Sequence, residues 1–358
     1  MLGVALVSAG CQHSEPFSNP QGSETPFDPG PPARLTLNPA HDGHPAWLAD
    51  GSGILYSAQQ TNRADTDVCL AELPPTGGSQ RRLVCDIPGE KTTTDAALSP
   101  AASSDGRLAL LSAGNGSLGG TSPVFLSIAV AATLDASSVE TVRSLPLTPI
   151  NGVLQDYAGA LRWLTPDRLV YIGQQFRVFR ACPQCALDTL VYGTEVTVLH
   201  LAGGAATATA VAGTAQATGV APIQDGAAIL YTLPNDTRIY HRTLSSGDVA
   251  VFHDFGPAGI VREVHASGNR VAAVVGGRLT FSVDPRVGPT QWDSGGVLHV
   301  LDLQGDDEVV LETPERLYRR PAVSHDGRRI VAEGFELLIA DRDTTVSRSG
   351  DLYLFGGE

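Results

Sequence analysis

The residues whose types and spacing first suggest chemistry are the two histidines and the aspartate of HDGH, residues 41 to 44. Imidazole and carboxylate groups bind metals, but a protein metal site needs three or four converging ligands. Further partners for His41 and His44 would therefore have to come from other parts of the fold. The alternative is a connecting loop whose Asp42 belongs to a repeated pattern. We favour the loop and predict no metal site.

The second candidate is the CPQC segment, which contains Cys182 and Cys185. Two thiols at this spacing can form a small disulfide-closed loop, half of a zinc site or a redox pair. A structural zinc site needs four ligands, and no second CxxC and no HxxxH occurs in the sequence. A redox CxxC is expected at a helix start that follows a strand, whereas this segment lies between β-like runs. We therefore predict a disulfide or a plain loop.

Two other cysteines, Cys69 and Cys85, lie in DVCLAEL and RRLVCDI, which resemble adjacent antiparallel strands. Cysteines on neighbouring strands can approach closely enough for a disulfide, so we predict that these two are paired. Disulfides of this kind are typical of exported proteins.

No catalytic residue or cofactor is predicted. GNGSLG, residues 114 to 119, matches the G-x-G-x-x-G pattern, but a strand-like run follows it instead of the helix that a dinucleotide site requires. No G-x-S-x-G nucleophile motif occurs. The acidic groups of GDDE, residues 305 to 308, and ADRD, residues 340 to 343, fall in predicted hairpin loops, where solvated charge is expected.

The elements that must position any site are six copies of one hairpin. Each copy is a strand, a turn built from Asp, Gly, Asn or Pro, and a second strand of alternating or continuous apolar residues. Aligned on one apolar residue of the second strand, successive copies lie 42 to 61 residues apart. The aligned residues are Ile54, Leu108, Leu169, Ile229, Val271 and Ile330.

A third strand follows every hairpin, and a fourth follows all but the last. A spare strand-like segment, ARLTL at residues 33 to 37, precedes the first hairpin. We therefore predict an all-β fold, a six-bladed β-propeller of four-stranded antiparallel blades in which the N-terminal strand closes the last blade. Radial stacking covers both faces of each small sheet, which a single sheet cannot achieve alone.

The segment RLTLNPAHDGHPAWLADGSGILYS resembles the WD40-like repeat of TolB-like propellers. The matching positions are Arg34, Leu35, Thr36, Pro39, Asp42, Pro45, Trp47, Asp50, Gly51 and Ile54, and in the last copy Pro321, Ser324, Asp326, Gly327 and Ile330. The resemblance implies that Pro starts the inner strand, that Trp packs between blades and that Asp-Gly forms the turn. It also implies protein partners and a periplasmic or surface location, but no particular activity.

The N-terminus resembles the lipobox of bacterial lipoproteins. Residues 2 to 10 are small and apolar, and Cys11 follows them at the position that is lipidated in such proteins, although Ser8 departs from the usual Leu or Val. The positively charged segment of a signal peptide is missing, so we expect the true start to lie upstream. The alternative is a frayed apolar terminus. The predicted regions are a signal-peptide remnant at 1–10, lipidated Cys11 and a flexible tether at 11–32, and the propeller at 33–358.

The predicted binding surface is the channel rim formed by residues just before each inner strand. Aromatic and arginine side chains, which often anchor partners, occur among them. The candidate rim residues are His44, Asp95, Tyr157, Arg262, Tyr318 and Arg319. A competing candidate is a long loop at residues 173 to 194, which carries the CPQC segment and two phenylalanines, Phe176 and Phe179.

The formal net charge of −14 argues against a nucleic-acid groove and a polybasic membrane contact. Beyond the N-terminus no run of 18 apolar residues occurs. We therefore expect a monomeric, lipid-anchored binding or scaffolding propeller of the cell envelope, in the periplasm or on the cell surface, with a protein partner. The alternative is an enzyme or binder that acts on polysaccharide through the central channel.

Overall fold

The strands of the chain form six antiparallel sheets of four strands, each joined to the next around a central axis. The coordinates are those of a computed structural model. They describe residues 27–37, 40–59, 68–84, 95–114, 125–134, 139–145, 154–180, 182–185, 187–202, 206–276, 279–284, 288–293, 295–340, 343–347 and 349–356. The predicted six-bladed propeller is confirmed.

The first three blades follow one another along the chain, and their strands are ordered from the axis outward. Blade 1 contains β2 (Asp42–Trp47), β3 (Ile54–Gln59), β4 (Val68–Leu73) and β5 (Arg82–Val84). Blade 2 contains β6 (Asp95–Ala102), β7 (Leu108–Gly114), β8 (Phe125–Ala131) and β9 (Val139–Leu145). Blade 3 contains β10 (Leu154–Thr165), β11 (Arg168–Arg180), β12 (Leu187–His200) and β13 (Thr207–Ala210).

The other three blades complete the ring. Blade 4 contains β14 (Gly219–Ile223), β15 (Ala228–Thr232), β16 (Arg238–Thr243) and β17 (Val249–Asp254), with short 3-10 turns at Gln224–Gly226 and Gly256–Ala258. Blade 5 contains β18 (Val261–Ser267), β19 (Arg270–Val275), β22 (Val297–Asp302) and β23 (Asp307–Leu311), and carries the hairpin of β20 (Leu279–Asp284) and β21 (Gly288–Asp293). Blade 6 contains β24 (Arg316–Val323), β25 (Ile330–Ala340), β27 (Asp351–Phe355) and β1 (Ala33–Arg34), while β26 (Asp343–Val346) pairs with the end of β25.

The ring closes where the two ends of the described chain pair. Ala33 and Arg34 lie opposite Leu354 and Tyr353, and Leu35 donates its backbone N–H to Leu352 at 2.8 Å. The strand predicted at 33–37 is therefore present, although its ladder spans only Ala33–Arg34. Phe27, which precedes the predicted propeller boundary, is buried in the core of blades 5 and 6.

Burial follows the radial order. The second strands of blades 4 and 5, β15 and β19, are buried along their whole length. Neighbouring blades cover both of their faces. The outermost strand β17 has only exposed and half-buried residues. The apolar core thus lies between blades, and the innermost strands are left to line a channel.

Tryptophan side chains form contacts between neighbouring blades, as the TolB-like repeat implies. Trp47 of blade 1 donates its indole N–H to the Ala322 carbonyl of blade 6 at 2.9 Å, and Trp163 of blade 3 donates to the Ala101 carbonyl of blade 2 at 2.8 Å. A turn arginine of the preceding blade stacks on each indole, Arg329 at 4.6 Å and Arg107 at 4.9 Å. Each cation–π contact adds about 0.5–2 kcal/mol to the interface.

The Asp-Gly turns join the first and second strands as the repeat implies. Gly51 and Gly327 both adopt a φ of 69°, a left-handed conformation that glycine reaches without a Cβ penalty. The preceding aspartates, Asp50 and Asp326, accept backbone N–H groups from Ser52 at 2.9 Å and Arg328 at 3.1 Å. We call the side of the ring that carries these turns the turn face.

Long hairpins extend from the opposite side. Strands β11 and β12 stay paired as far as Arg180 and Leu187, so the loop predicted at 173–194 is a hairpin whose tip is the CPQC segment. Hairpins also extend from blade 5, through β20 and β21, and from blade 6, through β25 and β26. All three join a second strand to a third strand, so they lie on one side, which we call the hairpin face.

Cys182 and Cys185 form a disulfide at the tip of the blade 3 hairpin. Cys69 is buried and disulfide-bonded, while its predicted partner Cys85 lies outside the described residues. The GNGSLG segment beyond Gly114 and the N-terminal region with Cys11 also lie outside them. None of the helices in the described ranges is long and apolar enough to cross a membrane.

Candidate functional site

The pairing of the first two strands identifies equivalent channel positions in the six blades. In each blade one residue of the inner strand lies opposite the apolar residue on which the repeats align, as Trp47 lies opposite Ile54. The residues three positions before it form an upper tier: His44, Ser99, Ala160, Gly219, Glu263 and Arg320. The residues one position before it form a lower tier: Ala46, Ala101, Arg162, Ala221, His265 and Ala322.

Backbone bulges shape the upper tier. Its residues in blades 1, 2, 3 and 6 all have left-handed φ values, 53° at His44, 46° at Ser99, 52° at Ala160 and 46° at Arg320. The strand pairing shifts register at each of these four positions. A bulge disrupts the ladder locally and frees backbone N–H groups for other acceptors. Those of His44 and Arg320 are satisfied by carboxylates.

Glu333, on the second strand of blade 6, accepts hydrogen bonds from blade 1 and from its own blade. It is fully buried, and its Oε1 accepts the His44 backbone N–H at 2.6 Å and Arg320 Nη1 at 2.8 Å. Its Oε2 lies 3.8 Å from Arg319 Nε and 4.0 Å from His41 Nε2. Burial by itself raises the pKa of Glu333, but the two arginines outweigh burial and hold that pKa well below its usual range.

Glu263, in the upper tier of blade 5, is held differently. Its Oε2 accepts the backbone N–H of Arg320 in the next blade. Burial raises the pKa of this carboxyl group, and the charges of Arg319 and Arg320 offset only part of that effect. Glu263 thus links blade 5 to blade 6, and Glu333 links blade 6 to blade 1.

The histidines of the site are held neutral. His44 Nδ1 pairs with Ser99 Oγ at 2.9 Å, and burial, together with Arg320, lowers the pKa of His44 well below 6.5. His41 Nδ1 accepts the Gly350 backbone N–H at 3.0 Å, and burial lowers its pKa as well. Within the described ranges no three His, Cys, Asp or Glu side chains converge in a way that could hold a metal ion. The HDGH segment leads into β2, which begins at Asp42, and its histidines bond to blades 2 and 6.

A cavity of about 620 Å³ lies between the lower tier and the turn face. Arg162 and His265 are the polar members of the lower tier, and both line the cavity together with Trp47 and Trp163. His265 Nδ1 accepts the Val323 backbone N–H at 3.2 Å. Burial and the nearby Arg162 lower the pKa of His265 well below 6.5, so this ring is neutral.

The structure places the predicted rim residues in different surroundings. His44 lies in the upper tier and Arg319 beside it, whereas Arg262 donates its Nε to the Gly276 carbonyl. Tyr318 is fully buried between Tyr353 and Phe355 and does not reach the channel. Asp95 and Tyr157 lie on the inner strands of blades 2 and 3, opposite Gly114 and Gln174. Binding by these residues remains a prediction.

The sequence interpretation missed five residues that dominate the channel: Arg162, Glu263, His265, Arg320 and Glu333. Four of them occupy tier positions, so comparing the residues one and three positions before the one opposite each aligned apolar residue would have found them. Glu333 lies on a second strand, and no repeat position marks it as a channel residue.

Solved structures of similar fold carry diverse functions. The chain is similar to a gluconolactonase from Xanthomonas campestris, at 13% identity and a TM-score of 0.56, over 92% of this chain and 91% of that one. It is also similar to a luciferin-regenerating enzyme, at 12% identity and a TM-score of 0.50, over 91% and 95% of the two chains. TolB from Acinetobacter baumannii matches at 15% identity and a TM-score of 0.50, over 87% of this chain and 65% of TolB.

At such identities these likenesses show the propeller fold and no activity. No protein-family profile matches the sequence, and no curated protein is similar to it.

Proposed function

We propose that the protein is a binding module of the cell envelope that holds a protein partner on its hairpin face and is tethered to a membrane by a lipid on Cys11. The observation that carries this proposal is the one-sided projection of the hairpins from blades 3, 5 and 6. Segments that extend from a rigid scaffold are the usual place of recognition in folds of this kind.

The blade 3 hairpin is built as a stable projection. Beyond Gln174 its strands remain paired over about six residues each, which at about 3.3 Å per residue extends them by roughly 20 Å. The Cys182–Cys185 disulfide closes its tip and limits the conformations of the turn. A preordered projection loses little entropy when a partner binds.

The polar groups of the channel support binding better than hydrolysis. A glycosidase needs two carboxyl groups that face its substrate, and Asp225 is the one carboxylate among the described residues that line the cavity. Glu333 is occupied by the His44 N–H and by Arg320, so it is not available as a general acid. The alternative of a polysaccharide-acting enzyme gains no support from this arrangement.

Site-specific photocrosslinking in cells tests the proposal. A photoreactive residue at Gln184, exposed at the tip of the blade 3 hairpin, should capture a specific envelope protein. The matched position is Ser52, exposed on the turn face, where the same adduct should not form. Identical adducts at both positions, or none at Gln184, would contradict the proposal.

A further inference from the structure

Arg162 stands out among the lower-tier residues of the channel. The equivalent residue is alanine in four blades, Ala46, Ala101, Ala221 and Ala322. A small side chain suits this position because six inner strands converge on the axis there. Blade 3 has an arginine at this position instead, and Arg162 lines the 620 Å³ cavity.

The guanidinium group of Arg162 has few hydrogen-bond acceptors among the described residues of the protein. Its Nη1 donates to the carbonyl of Leu161, its own neighbour, at 2.8 Å. Its buried Nε has no acceptor among the described residues, and no described carboxylate forms an ion pair with it. Arginine has five N–H donors in a fixed fork, and a buried cation with few acceptors is costly unless something else supplies them. An unpaired fork in a cavity wall is suited to a planar anion.

The charges around this cavity also favour an anion. Of the described residues that line the cavity, Arg162 is a cation at the inner end and Asp225 is a carboxylate at the exposed end, while beyond Arg162 the charges of Arg319 and Arg320 balance those of Glu263 and Glu333. Burial is the largest influence on Arg162 and lowers its pKa to about 10, so it remains a cation at neutral pH, and Glu263 partly supports that charge. The single positive charge at the inner end of the cavity matches a monoanion.

The shape and lining of the cavity limit the ligand further. A volume of about 620 Å³ is within the range of small-molecule sites. Trp47, Trp163, Leu164, Ile223 and Phe252 provide apolar walls, and the single carboxylate in the lining, Asp225, lies on the turn face at the exposed end. An apolar body next to one anionic group therefore fits better than a compact inorganic ion.

We propose that the cavity between the lower tier and the turn face binds a small organic monocarboxylate, whose carboxylate pairs with Arg162 and whose apolar body lies between Trp47 and Trp163. The site is independent of the hairpin face, which lies at the other end of the channel. Four other blades fold with alanine at the equivalent position, so the arginine of blade 3 is not needed for the fold and serves ligand binding instead.

The test uses the full chain and pairs of probes of similar shape. Phenylacetate and hexanoate carry a carboxylate, whereas 2-phenylethanol and 1-hexanol are their neutral counterparts, and inorganic phosphate is an anion without an apolar body. Binding is measured by calorimetry and by tryptophan fluorescence, since two of the three tryptophans line the cavity. The carboxylates should bind saturably and change the fluorescence, while the alcohols and phosphate should not.

The variant Arg162→Ala, which introduces the residue found in four of the other five blades, should weaken carboxylate binding at least about tenfold, as expected for the loss of a charge-assisted hydrogen-bonded pair. Without ligand its melting temperature should equal or exceed that of the unmodified protein, because an unsatisfied buried cation has been removed. Arg238→Gln, on the surface of blade 4, should leave binding unchanged. A strongly destabilised Arg162→Ala protein, equal binding of acids and alcohols, tight binding of phosphate, or no binding of either acid would each overturn the proposal.

Discussion

Arg320 donates its Nη1 to both carboxylate oxygens of Glu333, at 2.8 and 3.1 Å, across the first two strands of blade 6. The same carboxylate accepts the backbone N–H of His44 from blade 1. Glu333 therefore joins the last blade to the first at the centre of the ring. It thus helps to close the ring and also compensates the positive charge of Arg320 in the channel.

Replacing Glu333 by Gln should destabilise the protein by about 3–5 kcal/mol, because Arg319 and Arg320 would lose the charge that compensates them in a buried site. Chemical denaturation measures this loss. Glu336→Gln, three residues along the same strand and half-exposed, is the matched control and should cost less than about 1 kcal/mol. Equal effects of the two substitutions would show that Glu333 is not a buried ionic centre.

The neutral channel histidines should make the protein lose stability in mild acid. The pKa values of His44 and His265 are lowered in the folded state, while unfolded histidine has a pKa of about 6.5. Below that pH the unfolded state binds more protons, so the free energy of unfolding should fall as pH drops from about 6.5 toward the lower folded values. Each histidine should contribute a slope of about 1.4 kcal/mol per pH unit.

The variant His265→Asn keeps an acceptor for the Val323 N–H and should reduce that slope, as measured by denaturation between neutral pH and pH of about 5. The exposed His325 serves as the control position, and His325→Asn should leave the slope unchanged. A pH profile of His265→Asn identical to that of the unmodified protein would argue that His265 is not held neutral by burial.

The closing strand offers a matched pair of leucines. Leu35 is 8% exposed and packs between blades 1 and 6, whereas Leu37 is 77% exposed. Leu35→Ala should cost about 2–4 kcal/mol through the cavity that it leaves. Leu37→Ala should change stability by no more than about 0.5 kcal/mol. Thermal or chemical denaturation separates the two, and similar losses at both positions would contradict closure of the ring through Leu35.

Membrane attachment is tested at Cys11. If the lipobox is functional, Cys11→Ser removes the thiol that accepts the lipid and should release the protein into the soluble fraction of cells. The double variant Cys182→Ser, Cys185→Ser removes two thiols at the hairpin tip and should leave the protein attached. Membrane retention of the Cys11→Ser protein after cell fractionation would exclude the lipid anchor.

The amino-acid sequence by itself determined the number of blades, their strand order and the strand that closes the ring. These features depend on local signals, such as the Asp-Gly turns at Gly51 and Gly327 and the apolar runs around Ile54 and Ile330, which recur with every repeat. Trp47 and its contact between blades also followed from the repeat.

Only the tertiary structure decided which charged residues meet in the channel. Glu333 contacts His44 across 289 residues of sequence, and the two approach because closing the ring places blade 6 beside blade 1. Likewise, nothing in the sequence distinguishes Arg162 from other arginines. Its Nε lacks a hydrogen-bond acceptor among the described residues because the fold places it at the axis, among the inner strands of the other blades. Local signals specify strands and turns, whereas the electrostatics of the channel depend on the distances between blades.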